Sequence, residues 1–261
     1  MKNFWKLVIL LAAVGSCLCI TGLAMGANTS GLYIDRNGIH IHSGDFQRTS
    51  ATDIGLITDI KIDVRTLEVR IVRGDNFGYE IFGDDISNVS VSFEDGFLAI
   101  EQRMPLNFSI SNPAGIRFRQ RDHVTVYLPP RAVIDTVNIV STSSNISIHD
   151  LHARNLTIRS TSGRVMANNI ETHRLDAIST SGAITMQGKF HNETTVRATS
   201  GDVKLTVDGA LDDYNWRMAA TSGATRLNGQ RTTTRAMVTS SIINNINLTA
   251  TSGRIDLNFS R

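Results

Sequence analysis

Thr161-Ser162-Gly163, Thr180-Ser181-Gly182, Thr199-Ser200-Gly201, Thr221-Ser222-Gly223 and Thr251-Ser252-Gly253 recur through the second half of this 261-residue chain, and Thr142-Ser143-Ser144 precedes them as a degenerate copy. Counted from Thr142, the first three intervals are 19 residues each and the last two are 22 and 30. A fixed period marks a repeat architecture, in which each unit occupies an equivalent environment.

Aligned on the middle Ser, the copies show apolar columns two residues apart. Val137, Leu156, Leu175, Thr194, Trp216 and Ile246 form one column, and Ile139, Ile158, Ala177, Val196, Met218 and Leu248 the next. Beyond the Gly come Ile146, Val165, Ile184, Val203, Thr225 and Ile255, then Ile148, Ala167, Met186, Leu205, Leu227 and Leu257. Spacing by two is one buried face of a β-strand. Between the pairs lies a column of small residues, Ser141, Ser160, Ser179, Ala198, Ala220 and Ala250. Each unit is therefore two strands around a tight corner, and Gly163, Gly182, Gly201, Gly223 and Gly253 are its structural corner residues, read here as positions of positive φ.

Nineteen residues give about 63 Å of extended chain, enough for two strands of about six residues and two turns but too little for a crossover helix. The expectation is an all-β, repeat-built β-solenoid of two-sheeted coils of about 19 residues, each pairing with its neighbours in sequence. A β-sandwich or meander is the alternative. The register weakens after Gly223, and residues 224–250, with a degenerate Thr239-Ser240-Ser241, are left unassigned.

Residues 7–25 are 19 consecutive uncharged, mostly apolar positions behind Lys2 and Lys6. As a helix they would span about 28 Å, close to the thickness of a bilayer's hydrocarbon core. Positive charge on the N-terminal side alone predicts a single-pass transmembrane helix in the cell membrane, with a cytoplasmic N-terminus and residues 27–261 extracytoplasmic. Ala24-Met25-Gly26 also reads as a signal-peptide cleavage site and Val14-Gly15-Ser16-Cys17 as a lipid-acylation box, so cleavage and lipidation remain open. Cys17 and Cys19 are the only cysteines, which leaves residues 27–261 without disulfide, thiolate nucleophile or thiolate metal site. With 26 Lys+Arg against 24 Asp+Glu, nothing in the charge balance points to nucleic acid.

From Gly31 to Pro130 strand signals persist without the period. Tyr33 to Ile41 reads as a hairpin on Asn37-Gly38, and Phe93 to Ile100 as another. Ile60 to Val64, Leu67 to Ile71, Val89 to Phe93 and Val124 to Leu128 alternate. Arg103 to Asp122 reads as an excursion off the sheet. The chain divides into a membrane anchor or signal peptide (1–26), an irregular β part that caps the repeats (27–130), and the Thr-Ser-Gly repeat part (131–261).

A positively flanked N-terminal anchor, strands ending in Val124-Thr125-Val126-Tyr127-Leu128-Pro129 and repeated Ser-Thr-Ser-Gly coils together resemble the bacterial "putative adhesin" family of unknown function, also called toast-rack domains. The resemblance covers most of residues 31–261. It implies a membrane-tethered β-solenoid of the cell envelope with a role in adhesion or envelope-stress signalling, and it brings no catalytic residues.

Other constellations are weighed against plain solvated turns. Arg117, Arg119 and Arg121 alternate, so an extended segment puts three guanidinium groups on one face, suited to phosphate or an acidic partner. Arg159, Arg164 and Arg197 bracket the corners as a second, interrupted basic set. His149, His152, His173 and His191 fall at unequal offsets from their own Thr, an arrangement short of a zinc ligand set. Asp84-Asp85 and Asp208 with Asp212-Asp213 lack the calcium-binding repeat pattern. No metal or cofactor is expected. No carboxylate pair recurs in phase to support a glycosidase or lyase, and no His or Lys recurs to activate the corner serines. The expected function is a non-enzymatic, membrane-anchored adhesion or interaction module, with a regulatory partner of an envelope-stress system as alternative. The expected partners are the membrane through residues 7–25, envelope polymers or another membrane protein, and a second copy of the chain.

Overall fold

The structure, a computed structural model, describes residues 32–35, 38–41, 47–83, 86–103, 122–233, 235–238 and 242–260. The apolar run 7–25, Asn37, Asp84-Asp85, Arg117, Arg119, Arg121 and Thr239-Ser240-Ser241 lie outside the described residues. Among the described residues, no helix is long and apolar enough to cross a membrane.

Residues 1–45 with 105–119 form one unit and residues 46–104 with 120–261 another. The described part of the first is a hairpin of β1 (Leu32–Asp35) and β2 (Gly38–Ile41), antiparallel with Ile34 opposite Ile39. The alternation of Tyr33 to Ile41 predicted that pairing.

The described residues of the second unit are all β apart from a single-turn 3-10 helix at Leu211–Asp213. Its first strands are β3 (Gln47–Thr52), β4 (Asp59–Val64), β5 (Glu68–Arg73), β6 (Gly78–Gly83), β7 (Val89–Glu94), β8 (Phe97–Gln102) and β9 (His123–Leu128). Then come β10 (Val133–Ser141), β11 (Ile146–His149), β12 (His152–Ser162), β13 (Val165–Ser181), β14 (Ile184–Ala198) and β15 (Val203–Asp208). The last are β16 (Asn215–Ala220), β17 (Thr225–Leu227), β18 (Gln230–Thr232), β19 (Arg235–Val238), β20 (Asn245–Ala250) and β21 (Ile255–Ser260). They join in one curled sheet, because β13 and β14 run unbroken from one face to the other.

On one face, Ile60, Val137, Leu156, Leu175, Thr194, Ile246 and Trp216 are successive partners in parallel strands. On the other, Val69, Ile146, Val165, Ile184, Val203, Ile255 and Thr225 do the same. All fourteen are buried. The apolar members of both columns belong to a single core cluster between the faces. Each two-strand coil thus hides its apolar face against the other strand of the same coil and against the coils beside it. That shared burial is why no coil is stable alone and why the stack needs many copies.

The spatial order departs from the expected pairing of neighbours in sequence. The coil β20/β21 lies between β14/β15 and β16/β17, although it follows both in the chain. At the other end β4/β5 lies between β10/β11 and β8/β9. The reason is the covering of the ends. β18 and β19 run antiparallel against β17 and β16, and β7 and β6 against β8 and β9, with β3 outside β6. A cover made of the chain next to the outermost coil leaves the inner slot to the segment on the far side of the cover. The 30-residue interval before Thr251 holds this cover. The 22-residue interval before Thr221 contains the 3-10 turn, which carries the chain past the slot that β20/β21 fills.

Corners, ends and candidate interaction surfaces

The Thr-Ser-Gly corners lie directly above one another. Ser162 N–H donates to the Thr142 carbonyl, Ser200 to Thr180, Ser252 to Thr199 and Ser222 to Thr251, each at 2.8 Å. The small residues beneath are buried as predicted, from Ser141 at 1 % exposed to Ala220 at 5 %. The reason for the glycines is different from the one expected. Gly163 has φ +131°, but Gly182, Gly201, Gly223 and Gly253 do not adopt the left-handed region. What excludes a side chain is the coil alongside: a Cβ on Gly182 would sit 1.8 Å from the Gly163 carbonyl oxygen, on Gly201 2.2 Å from that of Gly182, on Gly253 2.1 Å from that of Gly201, and on Gly223 1.9 Å from that of Gly253. Ser144 starts this column because its hydroxyl finds partners there, donating to the Leu67 carbonyl at 2.6 Å and meeting Ser141 Oγ at 2.8 Å. The outcome is a ladder of exposed Thr and Ser side chains, Thr161-Ser162, Thr180-Ser181, Thr199-Ser200, Thr251-Ser252 and Thr221-Ser222, along one edge of the stack.

The opposite corner is built by Asp150 and Asn169, both at positive φ, with the Asn169 amide donating to Asp150. Here the histidines come together, against the expectation from their offsets. Ile170 pairs with Gly188, one residue short of the 19-residue step, so β14 is shifted at the corner. Glu171 then faces His191 Nε2 at 3.2 Å and His152 Nδ1 at 3.9 Å, and the His173 and His191 rings lie 5.2 Å apart. His173 also lines a shallow groove with Arg154, Asn155, Arg174 and Asn192. His149 stays apart, 3.2 Å from Ser147 Oγ. Among the described residues, no three or more His, Cys, Asp or Glu side chains are grouped to hold a metal ion.

The outer faces carry ion pairs that join one coil to the next: Arg154 with Asp135 at 2.9 Å, Arg174 with Glu193 at 3.6 Å and Arg254 with Asp202 at 3.1 Å. All are exposed and each adds a fraction of a kcal/mol at most. The second basic set does not form a cluster: Arg159 is engaged by Asp176 at 3.4 Å, while Arg164 and Arg197 make no ion pair among the described residues. Asp208 accepts from Ser260 Oγ at 2.9 Å, and Asp212 and Asp213 sit exposed on the 3-10 turn.

Fold and surfaces together define an all-β repeat protein whose distinctive chemistry lies on its corners and ends. The Toastrack DUF4097 family matches residues 57–261, and the chain belongs to that family. Among solved structures it is similar to a "putative cell adhesion protein" from Clostridium sporogenes, at 13 % identity and TM-score 0.45 over 83 % of this chain and 99 % of that one. It is also similar to a "putative adhesin" from Bacteroides fragilis, at 14 % identity and TM-score 0.34 over 84 % and 99 %. A "putative lipid binding protein" from Parabacteroides distasonis gives 10 % identity and TM-score 0.38 over 84 % and 98 %. These likenesses carry no argument about function. No curated protein matches the chain.

Proposed function

We propose that this chain is a non-enzymatic adhesion or interaction module held on the outer side of a cell membrane by residues 7–25. The observation that carries the reading is the corner ladder, five exposed Thr-Ser pairs stacked in register. A ligand that meets one corner meets the same hydroxyls again one strand spacing, about 4.8 Å, further on. A repeating envelope polymer fits a surface of that kind. The apolar length and flanking lysines of residues 1–26 support the tether, and residues 27–130 and 131–261 would together form the exported part.

The test is to express the full-length chain in a bacterial host, fractionate the cells, and weigh the product. An intact chain in the membrane fraction, digested by protease added from outside, is expected. A chain shortened at Gly26 and free of the membrane overturns the tether. Retention on isolated cell-wall polymer, lost when Thr161, Thr180 and Thr199 are replaced by Val, is the matching test of the ladder; retention unchanged by those replacements overturns it.

A further inference from the structure

The two ends of the coil stack differ in charge. Residues 46–103, which build the β3/β6/β7/β8 end, hold eleven Asp and Glu against six Lys and Arg. The 42 residues from Tyr214 to Ile255, which build the other end, hold five arginines and not one carboxylate. At the first end Asp53, Asp75, Glu94 and Asp95 are exposed and make no ion pair among the described residues, whereas the nearby cations Arg48 and Lys61 are taken by Glu80 and Glu101, both at 2.6 Å. At the far end Arg217, Arg226, Arg231 and Arg235 make no ion pair among the described residues, and Arg226 stands directly opposite Arg231. Like charges facing across a strand pair weaken it, and although Asp256 neighbours Arg226 on its other side, it is engaged by Arg254 at 3.3 Å, so the positive charge of this end is held without an ion pair among the described residues. The acidic Asp212 and Asp213 lie to the side, at the corner entering the last coil.

Apolar exposure follows the same division. Of seven large hydrophobic residues exposed among the described ones, Leu56 (66 %) and Phe97 (44 %) are at the acidic end, and Met237 (65 %), Val238 (50 %) and Ile243 (75 %) are at the basic end. The strand edges are open there too: among the described residues β3 and β7 at one end, and β18 and β19 at the other, are each paired on one side only. Such edges offer unpaired backbone N–H and C=O groups to a further strand. Eight parallel coils at about 4.8 Å each hold the ends about 34 Å apart, several Debye lengths at physiological salt, so the opposite charges cannot neutralise one another within one molecule.

We propose that the basic end of one copy docks on the acidic end of a second copy, placing β18/β19 against β3/β7 and joining the stacks head to tail. The two surfaces are different, so the contact is heterologous and each added copy leaves one acidic and one basic end free for the next.

The experiment is sedimentation of the full-length protein in mild detergent across protein concentration and ionic strength, with two charge-reversed forms. Arg231→Glu/Arg235→Glu lowers the net charge of the basic end from +5 to +1, and Asp75→Lys/Glu94→Lys brings the acidic end from −5 to −1, so in a mixture the intact basic end of the second form can meet the intact acidic end of the first. Melting curves check that each is folded. The expected result is wild-type association that weakens on going to about 0.5 M salt, association about tenfold weaker in either reversed form alone, and recovery when the two are mixed. Recovery on mixing cannot come from self-association of residues 7–25, which both forms share. A wild type that does not associate, or association that neither reversal alters, overturns the proposal. So does vesicle binding: arginine-dependent binding to phosphatidylglycerol vesicles without self-association would assign the basic end to a membrane.

Discussion

Replacing Gly182 with Ala tests the packing of the corners at a single methyl group. The added Cβ would lie 1.8 Å from the Gly163 carbonyl oxygen, and contacts under 3.0 Å are essentially unknown for real Cβ atoms, so neighbouring corners must part by about 1.2 Å. The obstruction is backbone, so no side chain can swing aside. A shift of that size lengthens the bond between the same two corners, Val165 N–H to the Ala183 carbonyl at 2.9 Å, to about 4 Å, beyond hydrogen-bond range, and pulls apart the Ser162/Ser181 strand pairing beside it. Two or three lost bonds at about 1 kcal/mol each, with residual strain, amount to about 2–4 kcal/mol. For a domain of this size that is a Tm lower by about 5–15 °C, measured by circular dichroism or as a shifted urea midpoint. Gly229→Ala is the control, since Gly229 has φ +79° with nothing within 4 Å and should lose only about 1 kcal/mol. Gly182→Asn separates the two explanations of the glycines. A left-handed position tolerates Asn better than Ala, whereas a close approach does not. A Gly182→Ala protein within about 0.5 kcal/mol of wild type refutes the stacked-carbonyl account.

Other positions give sharp contrasts. Ile158, fully buried between Ile139 and Ala177, changed to Asp should abolish the cooperative transition, because an unpaired carboxylate there costs about as much as the whole fold is worth; Arg164→Ala should stay within about 0.5 kcal/mol. The Ser179 hydroxyl is buried without a hydrogen-bond partner among the described residues, in a column that elsewhere accepts Ala, so Ser179→Ala should leave Tm unchanged or raise it. Ser144→Ala, losing the bonds to Leu67 and Ser141, should cost about 1–2 kcal/mol. Burial, then Asp213 and Asp208, push the Tyr214 phenol above its ordinary value. A raised folded pKa gives stability that is whole below the ordinary phenol value of about 10 and is lost as pH rises through the folded value. Tyr214→Phe should therefore flatten the alkaline decline in a pH series of melting curves, and an unchanged slope contradicts that assignment.

The core was legible in the sequence because period and alternation act together. Ile139, Ile158 and Ala177 fall on one column at 19-residue steps, and each is fully buried on the strand expected. The order of the coils was not legible. Pairing between copies follows from where the chain places its covers, and Ile255 is equally suited to lie beside Val203 or beyond Thr225. The histidine corner was hidden by a one-residue shift at Gly188, which moves His191 next to His173 and upsets any count from the Thr. Positive φ holds at Gly163 but not at the other four corner glycines, where a facing carbonyl imposes the same letter. The basic end did have a sequence signal, the acid-free run from Tyr214 to Ile255 in a chain of nearly balanced charge. It gains meaning only when the acidic residues are seen to occupy the other end.

The order of the coils carries the corner ladder, the two covers and the opposed ends alike, and paired cysteines test it directly. With Cys17 and Cys19 replaced by Ser, Lys204→Cys/Asp256→Cys brings together partners in neighbouring parallel strands, whose separation of about 4.8 Å lies within disulfide range. Lys204→Cys/Arg226→Cys joins positions that would be partners only if the coils stacked in chain order. Asp256 separates them here. Mild oxidation of the folded full-length protein, followed by peptide mass mapping, should give an intramolecular disulfide in the first form and none in the second. A disulfide between residues 204 and 226, with none between 204 and 256, would contradict the coil order.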